Sequence, residues 1–146
     1  MPGIICAIRG GPASRPTIRK AISIAQEKNL PLFFLYVVNL EFLTHTASSR
    51  VHTIQKELNQ MGEFILLAAE TEAAAKGVTA HGFVRQGNVW DEIVLIGQEH
   101  SVDYVVLGKP QEQEDNLSTF EFLERFSERV RDEVGASVVL AESEVA

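Results

Sequence analysis

Runs of apolar residues alternate with amphipathic segments from one end of this 146-residue chain to the other. The clearest run is Leu32-Phe-Phe-Leu-Tyr-Val-Val38, which is rich in the aromatic and β-branched residues that strands favour. Strands that are apolar throughout are buried on both faces, and such strands are typical of a parallel sheet covered by helices. The alternation therefore predicts an α/β fold.

The order of predicted elements is βαβαβαβαβ, and right-handed crossovers leave few ways to arrange it. The predicted strands are Ile4–Ile8, Leu32–Val38, Val78–Arg85, Tyr104–Leu107 and Ala136–Leu140. Neither an internal repeat nor a linker divides the chain, so residues 1–146 are predicted to form a single domain.

Residues with cap chemistry mark the predicted helix ends. Ser14 and Asn88 are candidate N-caps, and Gly77 suits the left-handed position after the second helix. Ser118 and Glu121 have the spacing of a capping box, which predicts the start of the last helix. Along the second helix, one predicted inward stripe comprises Val51, Ile54, Leu58, Met61, Ile65 and Ala68.

The composition excludes some classes of binding partner and indicates the cellular compartment. Thirteen Lys and Arg against twenty Asp and Glu give a net charge of −7, which opposes nucleic-acid binding. The single cysteine, Cys6, rules out an internal disulfide and fits a reducing cytosol. The first apolar run is too short for a secretion signal, and no run reaches the roughly 20 residues of a membrane span. We expect a cytoplasmic protein without membrane or nucleic-acid partners.

Two loops follow strands that are expected to end at the ligand-binding crevice of an open sheet. The first strand is followed by Arg9-Gly10-Gly11. This segment is compatible with an anion-binding loop, in which backbone N–H groups contact the anion, or with a tight turn that has no ligand. After the fourth come Gly108, Lys109 and an acidic run with Glu112, Glu114 and Asp115. Neither Gly-x-Gly-x-x-Gly nor the P-loop motif is present in the sequence.

Signals for catalysis or metal binding are weak. Cys6 lies inside the first predicted strand, where a small buried side chain is the simpler interpretation. The four histidines have no metal-ligand spacing, and His81, on a predicted strand, is the one that most merits inspection. The sequence contains no Gly-x-Ser-x-Gly elbow. We therefore predict no catalytic residues and no metal site.

Several segments together resemble the universal stress protein family. These are Gly3–Ser14, Phe34–Val38, Val84–Asn88, Asp103–Gly108, Ser127–Val130 and Ala136–Leu140. The resemblance implies an open five-stranded parallel sheet of order 3-2-1-4-5 with helices on both faces, a Rossmann-like fold of the adenine nucleotide alpha hydrolase-like kind. It also implies a homodimer in which Val138, Val139 and Leu140 pair with their copies, which would cover an otherwise exposed edge strand.

The sequence departs from the pattern of the family's ATP-binding members, which resemble Gly-x-x-Gly followed at a distance by Gly-Ser or Gly-Thr. Gly108 fits the first glycine, but Gln111 occupies the position of the second. The final pair falls on Glu121-Phe122 or, in another alignment, on Glu124-Arg125. Arg9 replaces the aspartate expected after the first strand.

These departures favour a non-enzymatic stress-response homodimer that does not bind ATP tightly and has no required cofactor. If the missing glycines have positive φ, each replacement costs ~1–2 kcal/mol. Arg9 facing the acidic loop further suggests an internal Arg9–carboxylate contact. The alternative is a protein that binds ATP, AMP or another small anion through Arg9, Gly10, Val38, Gly108 and Lys109.

Overall fold

The computed structural model describes residues 2–8, 14–38, 48–108 and 116–141, with only the backbone at 48–49 and 116–120. Within these ranges strands and helices alternate as the sequence predicts. They are β1 (Ile4–Ala7), α1 (Arg15–Lys28), β2 (Leu32–Val38), α2 (Ser48–Ala75), β3 (Ala80–Gln86), α3 (Val89–His100), β4 (Tyr104–Gly108), α4 (Asn116–Glu133) and β5 (Ser137–Ala141).

The five strands form one parallel sheet in the order β3-β2-β1-β4-β5, which confirms the predicted topology. β1 lies in the middle, with Ile4 opposite Leu32 of β2 and Tyr104 of β4. Ile4, Ile5 and Cys6 are fully buried, as expected for a central strand between two helical layers.

Each face of the sheet carries its own apolar core. Ile4 and Cys6 contribute to the core shared with α1 and α2, whereas Ile5 contributes to the core shared with α3 and α4. This division follows from the strand geometry, because successive side chains point to opposite faces. In the described ranges no helix is both long enough and apolar enough to cross a membrane.

Two of the predicted helix ends, at Asn88 and Gly77, are confirmed. The Asn88 side chain accepts hydrogen bonds from the backbone N–H groups of Trp90 and Asp91, at 2.9 and 3.3 Å. Gly77 has a φ of 74°, and the following residue, Val78, donates its N–H to Ala73 at 3.0 Å. This glycine-centred ending closes α2 and keeps Val78 out of β3, which begins two residues later than predicted.

Two predicted caps differ from the structure. Ser14 stands at the N-cap of α1, but its side chain makes no capping hydrogen bond. The capping-box prediction at Ser118 is wrong, since α4 already begins at Asn116 and Ser118 lies inside the helix. A capping box specifies local spacing alone, so it does not exclude an earlier start.

The predicted inward stripe of α2 is also partly wrong. The side of α2 that faces the sheet carries Gly62, Leu66, Ala69 and Ala73, all of them buried. Met61, which was predicted to face inward, is 53% exposed, and Phe64 and Leu67 are 73% and 60% exposed. The apolar residues of α2 occupy more than one stripe, so helical periodicity did not identify the buried one.

Candidate functional site

The crevice of an open α/β sheet lies where neighbouring strands continue to opposite sides. Here that point falls between β1 and β4, because the chain runs from β1 outward through β2 to β3 and then returns to β4. The described residues at this edge include Ile8 after β1, Val38 at the end of β2 and Gly108 at the end of β4.

Of the five predicted site residues, the structure describes Val38 and Gly108. Arg9, Gly10 and Lys109 lie outside the described residues, and so does the acidic run Glu112–Asp115. The predicted Arg9–carboxylate contact therefore remains a prediction.

The backbone of Val38 is engaged within the sheet. Its side chain is buried, and its carbonyl oxygen accepts a hydrogen bond from the Gly87 N–H at 2.9 Å. Gly87, just after β3, has a φ of 136°, which a glycine adopts without strain. The Val38 carbonyl therefore points toward β3, away from the crevice between β1 and β4.

Gly108 is a glycine because a helix approaches it closely. A Cβ atom at this position would lie 2.8 Å from the Thr17 hydroxyl oxygen of α1. Gly108 does not adopt a positive φ, so the steric argument made for a left-handed glycine does not apply here. The absence of a side chain at the end of β4 instead reflects the close packing of α1 against the sheet.

Thr17 is the residue that sequence reasoning missed. It is buried, and its carbonyl oxygen accepts a weak hydrogen bond from the Cys6 thiol at 3.8 Å. Thr17 thus contacts both strands that flank the crevice, with its backbone next to Cys6 and its hydroxyl next to Gly108. Its sequence signal is its place on the buried side of α1, one residue before Ile18 and four before Ala21.

Cys6 is a core residue, as predicted. Its side chain is fully buried, and this desolvation raises the pKa of the thiol far above its ordinary range. A thiol that stays protonated is a poor nucleophile and a poor metal ligand.

Two histidines belong to an aromatic cluster at the opposite end of the sheet. The His100 ring stacks on Phe33 with centroids 4.5 Å apart, and its centroid is 5.5 Å from that of Phe83. The His81 ring also stacks on Phe33, with the two centroids 6.2 Å apart. Within the described ranges, no three His, Cys, Asp or Glu side chains are grouped as a metal site would require.

A concave region lies at the carboxyl end of β3, which is an edge strand of the sheet. This β3 cleft has a volume of about 460 Å³, within the range of small-molecule sites. Its lining residues are Asn59, Glu63, Val84, Arg85, Gln86 and Glu92. No sequence pattern indicates the cleft, because its walls come from three separate elements, α2, β3 and α3.

The family model for the universal stress protein family matches residues 2–141. The chain belongs to the universal stress protein family. A comparison with curated proteins gave no match.

Solved structures of other universal stress proteins share the fold at low sequence identity. UspA from Lactobacillus plantarum is 17% identical, with a TM-score of 0.72 over 96% of this chain and 97% of that one. A universal stress protein from Archaeoglobus fulgidus in complex with dAMP is 14% identical, with a TM-score of 0.62 over 97% and 98% of the two chains. A family protein from Arabidopsis thaliana with AMP bound is 13% identical, with a TM-score of 0.62 over 99% and 94%.

Proposed function

We propose that this universal stress protein is a cytoplasmic, non-enzymatic homodimer that acts in the stress response and does not bind ATP tightly. One observation carries the proposal. β4 ends at the switch point of the sheet, and the sequence that follows Gly108 places Glu112, Glu114 and Asp115 where the family's ATP-binding members have a glycine-rich loop.

The charges after Gly108 oppose a polyphosphate. Each carboxylate close to a phosphate opposes binding by ~1 kcal/mol or more, depending on the local dielectric. Gln111, in the position of the second motif glycine, further restricts the backbone conformations that bring N–H groups to an anion. A triphosphate is affected most, because it carries the most negative charge.

The second candidate function is binding of a nucleotide or another small anion in the same crevice. Two observations favour it, namely the relatives solved with AMP and dAMP and the exposed position of Gly108 at the switch point of the sheet. Arg9, Gly10, Val38, Gly108 and Lys109 would hold the ligand. A monophosphate suits this site better than ATP, since it brings fewer negative charges to the acidic loop.

Isothermal titration calorimetry with Mg-ATP and with AMP separates the two functions. We expect no measurable ATP heat for the wild type. The triple variant Glu112→Gln, Glu114→Gln, Asp115→Asn should gain ATP affinity if the carboxylates exclude the phosphates. Glu27→Gln, at an exposed position in the last turn of α1, is the control outside the motif. Tight Mg-dependent binding of ATP to the wild type would overturn the proposal.

The variant Arg9→Ala tests the alternative. If AMP or another small anion occupies the crevice, the ligand should raise the melting temperature of the wild type, and Arg9→Ala should abolish that shift. Lys20→Ala removes one positive charge from the exposed side of α1 and is the matched control. Equal loss in both variants would point to a general charge effect rather than to this site.

A further inference from the structure

The outer edge of β3 carries backbone groups that no described strand pairs with. Thr79 accepts a hydrogen bond from the Leu32 N–H, and the Gly87 N–H donates to Val38, both at 2.9 Å. The register between β2 and β3 is continuous from Ala80 to Gln86. In a parallel ladder, every second residue of a strand bonds to the same neighbouring strand. Because Thr79 and Gly87 bond to β2, the odd-numbered residues between them face β2 as well. The N–H and C=O groups of the even-numbered residues of β3 therefore point away from β2.

This edge has few of the features that protect exposed edges. β3 is seven residues long, contains neither proline nor lysine, and pairs with β2 without a bulge. Its one charged side chain, Arg85, lies over the Phe83 ring and within 3.7 Å of Glu99 on α3. Arg85 is therefore drawn toward Glu99, and no described strand pairs with the outward backbone groups of β3.

The β3 cleft lies along the second half of this edge and supplies hydrogen-bond acceptors. Val84 and Gln86, two of the residues with outward backbone groups, line it. Beside them the Asn59 side-chain oxygen is buried and has no hydrogen-bond partner among the described residues. A buried polar atom without a partner is costly, so a ligand that donates a hydrogen bond to Asn59 recovers that cost.

Carboxylates flank the cleft on both faces of the sheet, and they outnumber its one cation, Arg85, which lies 3.7 Å from Glu99. Glu63 comes from α2, and Glu92 comes from α3, which covers the opposite face. Successive side chains of an extended peptide also point to opposite faces of a sheet. Neighbouring basic residues of such a peptide would thus reach Glu63 and Glu92 in turn.

We propose that the β3 edge is a docking site for an extended basic peptide segment, which adds as a sixth strand beside β3. Main-chain hydrogen bonds to Val84 and Gln86 provide the attachment, and the two glutamates select positive side chains. The site is separate from the nucleotide crevice and from the β5 edge. It therefore stands or fails independently of the proposed function.

Amide hydrogen exchange followed by NMR tests the backbone part directly. The probe is a ten-residue peptide in which pairs of adjacent lysines alternate with pairs of valines, so that lysines reach both faces of the sheet. A peptide with glutamate in place of lysine is the control. In the free protein, we expect rapid exchange at Val84 and Gln86 and slow exchange at Phe83 and Arg85, which bond to β2. The lysine peptide should slow exchange at Val84 and Gln86 by at least about tenfold, whereas the glutamate peptide should not.

Charge reversal tests the selection of a basic partner. Glu63→Lys should weaken binding of the lysine peptide by about threefold to tenfold at low salt, as expected for a partly exposed ion pair. Glu57→Lys makes the same change of net charge on the exposed side of α2 and should leave the affinity nearly unchanged. Circular dichroism melts of both variants check that the fold is retained.

Three results would overturn the proposal. The first is slow exchange at Val84 and Gln86 in the free protein, which would mean that the edge is already covered. The second is unchanged exchange there at saturating lysine peptide, or no binding at millimolar peptide. The third is equal weakening by Glu63→Lys and Glu57→Lys, which would mean that the peptide binds through the net charge of −7 alone.

Discussion

At the scale of single residues, Gly108 and Thr17 connect the sheet to α1 at the crevice. The missing side chain of Gly108 matters because the Thr17 hydroxyl oxygen would lie 2.8 Å from a Cβ atom. Contacts that short force a neighbour to move. The identity of residue 108 is thus set by a helix 91 positions away in sequence, in addition to any contact with a ligand.

Replacing Gly108 with alanine should destabilise the fold by about 1–2 kcal/mol through this close contact. Thr17→Ala removes the hydroxyl, so the double variant should lose less stability than the sum of the single variants. Urea unfolding of all four proteins measures the coupling. Gly77→Ala is the control, since its cost comes from a φ of 74° with no atom near the added Cβ, and it should be additive with Thr17→Ala. Additive losses for Gly108 and Thr17 would contradict the packing explanation.

At the scale of elements, α2 packs on the sheet through Leu66 and three small residues, Gly62, Ala69 and Ala73. Gly62 lies against the Tyr36 ring, where a Cβ atom would approach Cδ1 to 2.6 Å. On the strand side, a Cβ at Gly82 would lie 3.0 Å from the Cβ of Leu66. Glycines on both surfaces bring α2 and the strands β2 and β3 closer than ordinary side chains would allow.

Gly62→Ala therefore separates helix propensity from packing. In an isolated helix the change would stabilise by about 1 kcal/mol. Here we expect a net loss of about 1 kcal/mol, because the clash with Tyr36 costs more than the propensity gains. Gln60→Ala, on an exposed position of the same helix, should be neutral or slightly stabilising. A rise in the unfolding free energy of Gly62→Ala would show that the contact is loose.

At the scale of the whole molecule, the sheet has two edges with different proposed partners. Ser137 donates its N–H to Asp103 at 3.0 Å, so Val139 also bonds to β4, whereas the backbone groups of Val138 and Leu140 point outward. Those outward groups are the ones that a second copy would pair with. The proposed homodimer thus uses β5, and the proposed peptide site uses β3.

Val138→Pro should convert the dimer to a monomer, because proline removes an outward N–H without breaking a bond to β4. Sedimentation equilibrium over a range of protein concentrations measures the change. Val84→Pro removes the corresponding outward group from β3 and should leave the dimer intact. If the proline variant at 138 fails to fold, Leu140→Lys is the second test. A monomeric wild type, or a dimer that survives both changes, would rule out the β5 interface.

The features of this fold that the sequence predicted correctly depend on interactions between residues that are close in sequence. Asn88 caps α3 and Gly77 ends α2 because their preferences depend on their own backbone and a few neighbours. The strand order followed from the family resemblance, with apolar strands and right-handed crossovers restricting the alternatives. The crevice between β1 and β4 then follows from the order of the strands.

Tertiary packing decided the rest, since it joins residues that are far apart in sequence. The buried face of α2 was not predicted, because Met61 and Phe64 are as apolar as the residues that pack on the sheet. The Thr17–Gly108 approach and the β3 cleft likewise depend on how separate elements meet. The sequence by itself determined the elements, their family and the charges after Gly108. Only the three-dimensional arrangement determined which side chains are buried and where the sheet remains open, because burial is a property of contacts between elements.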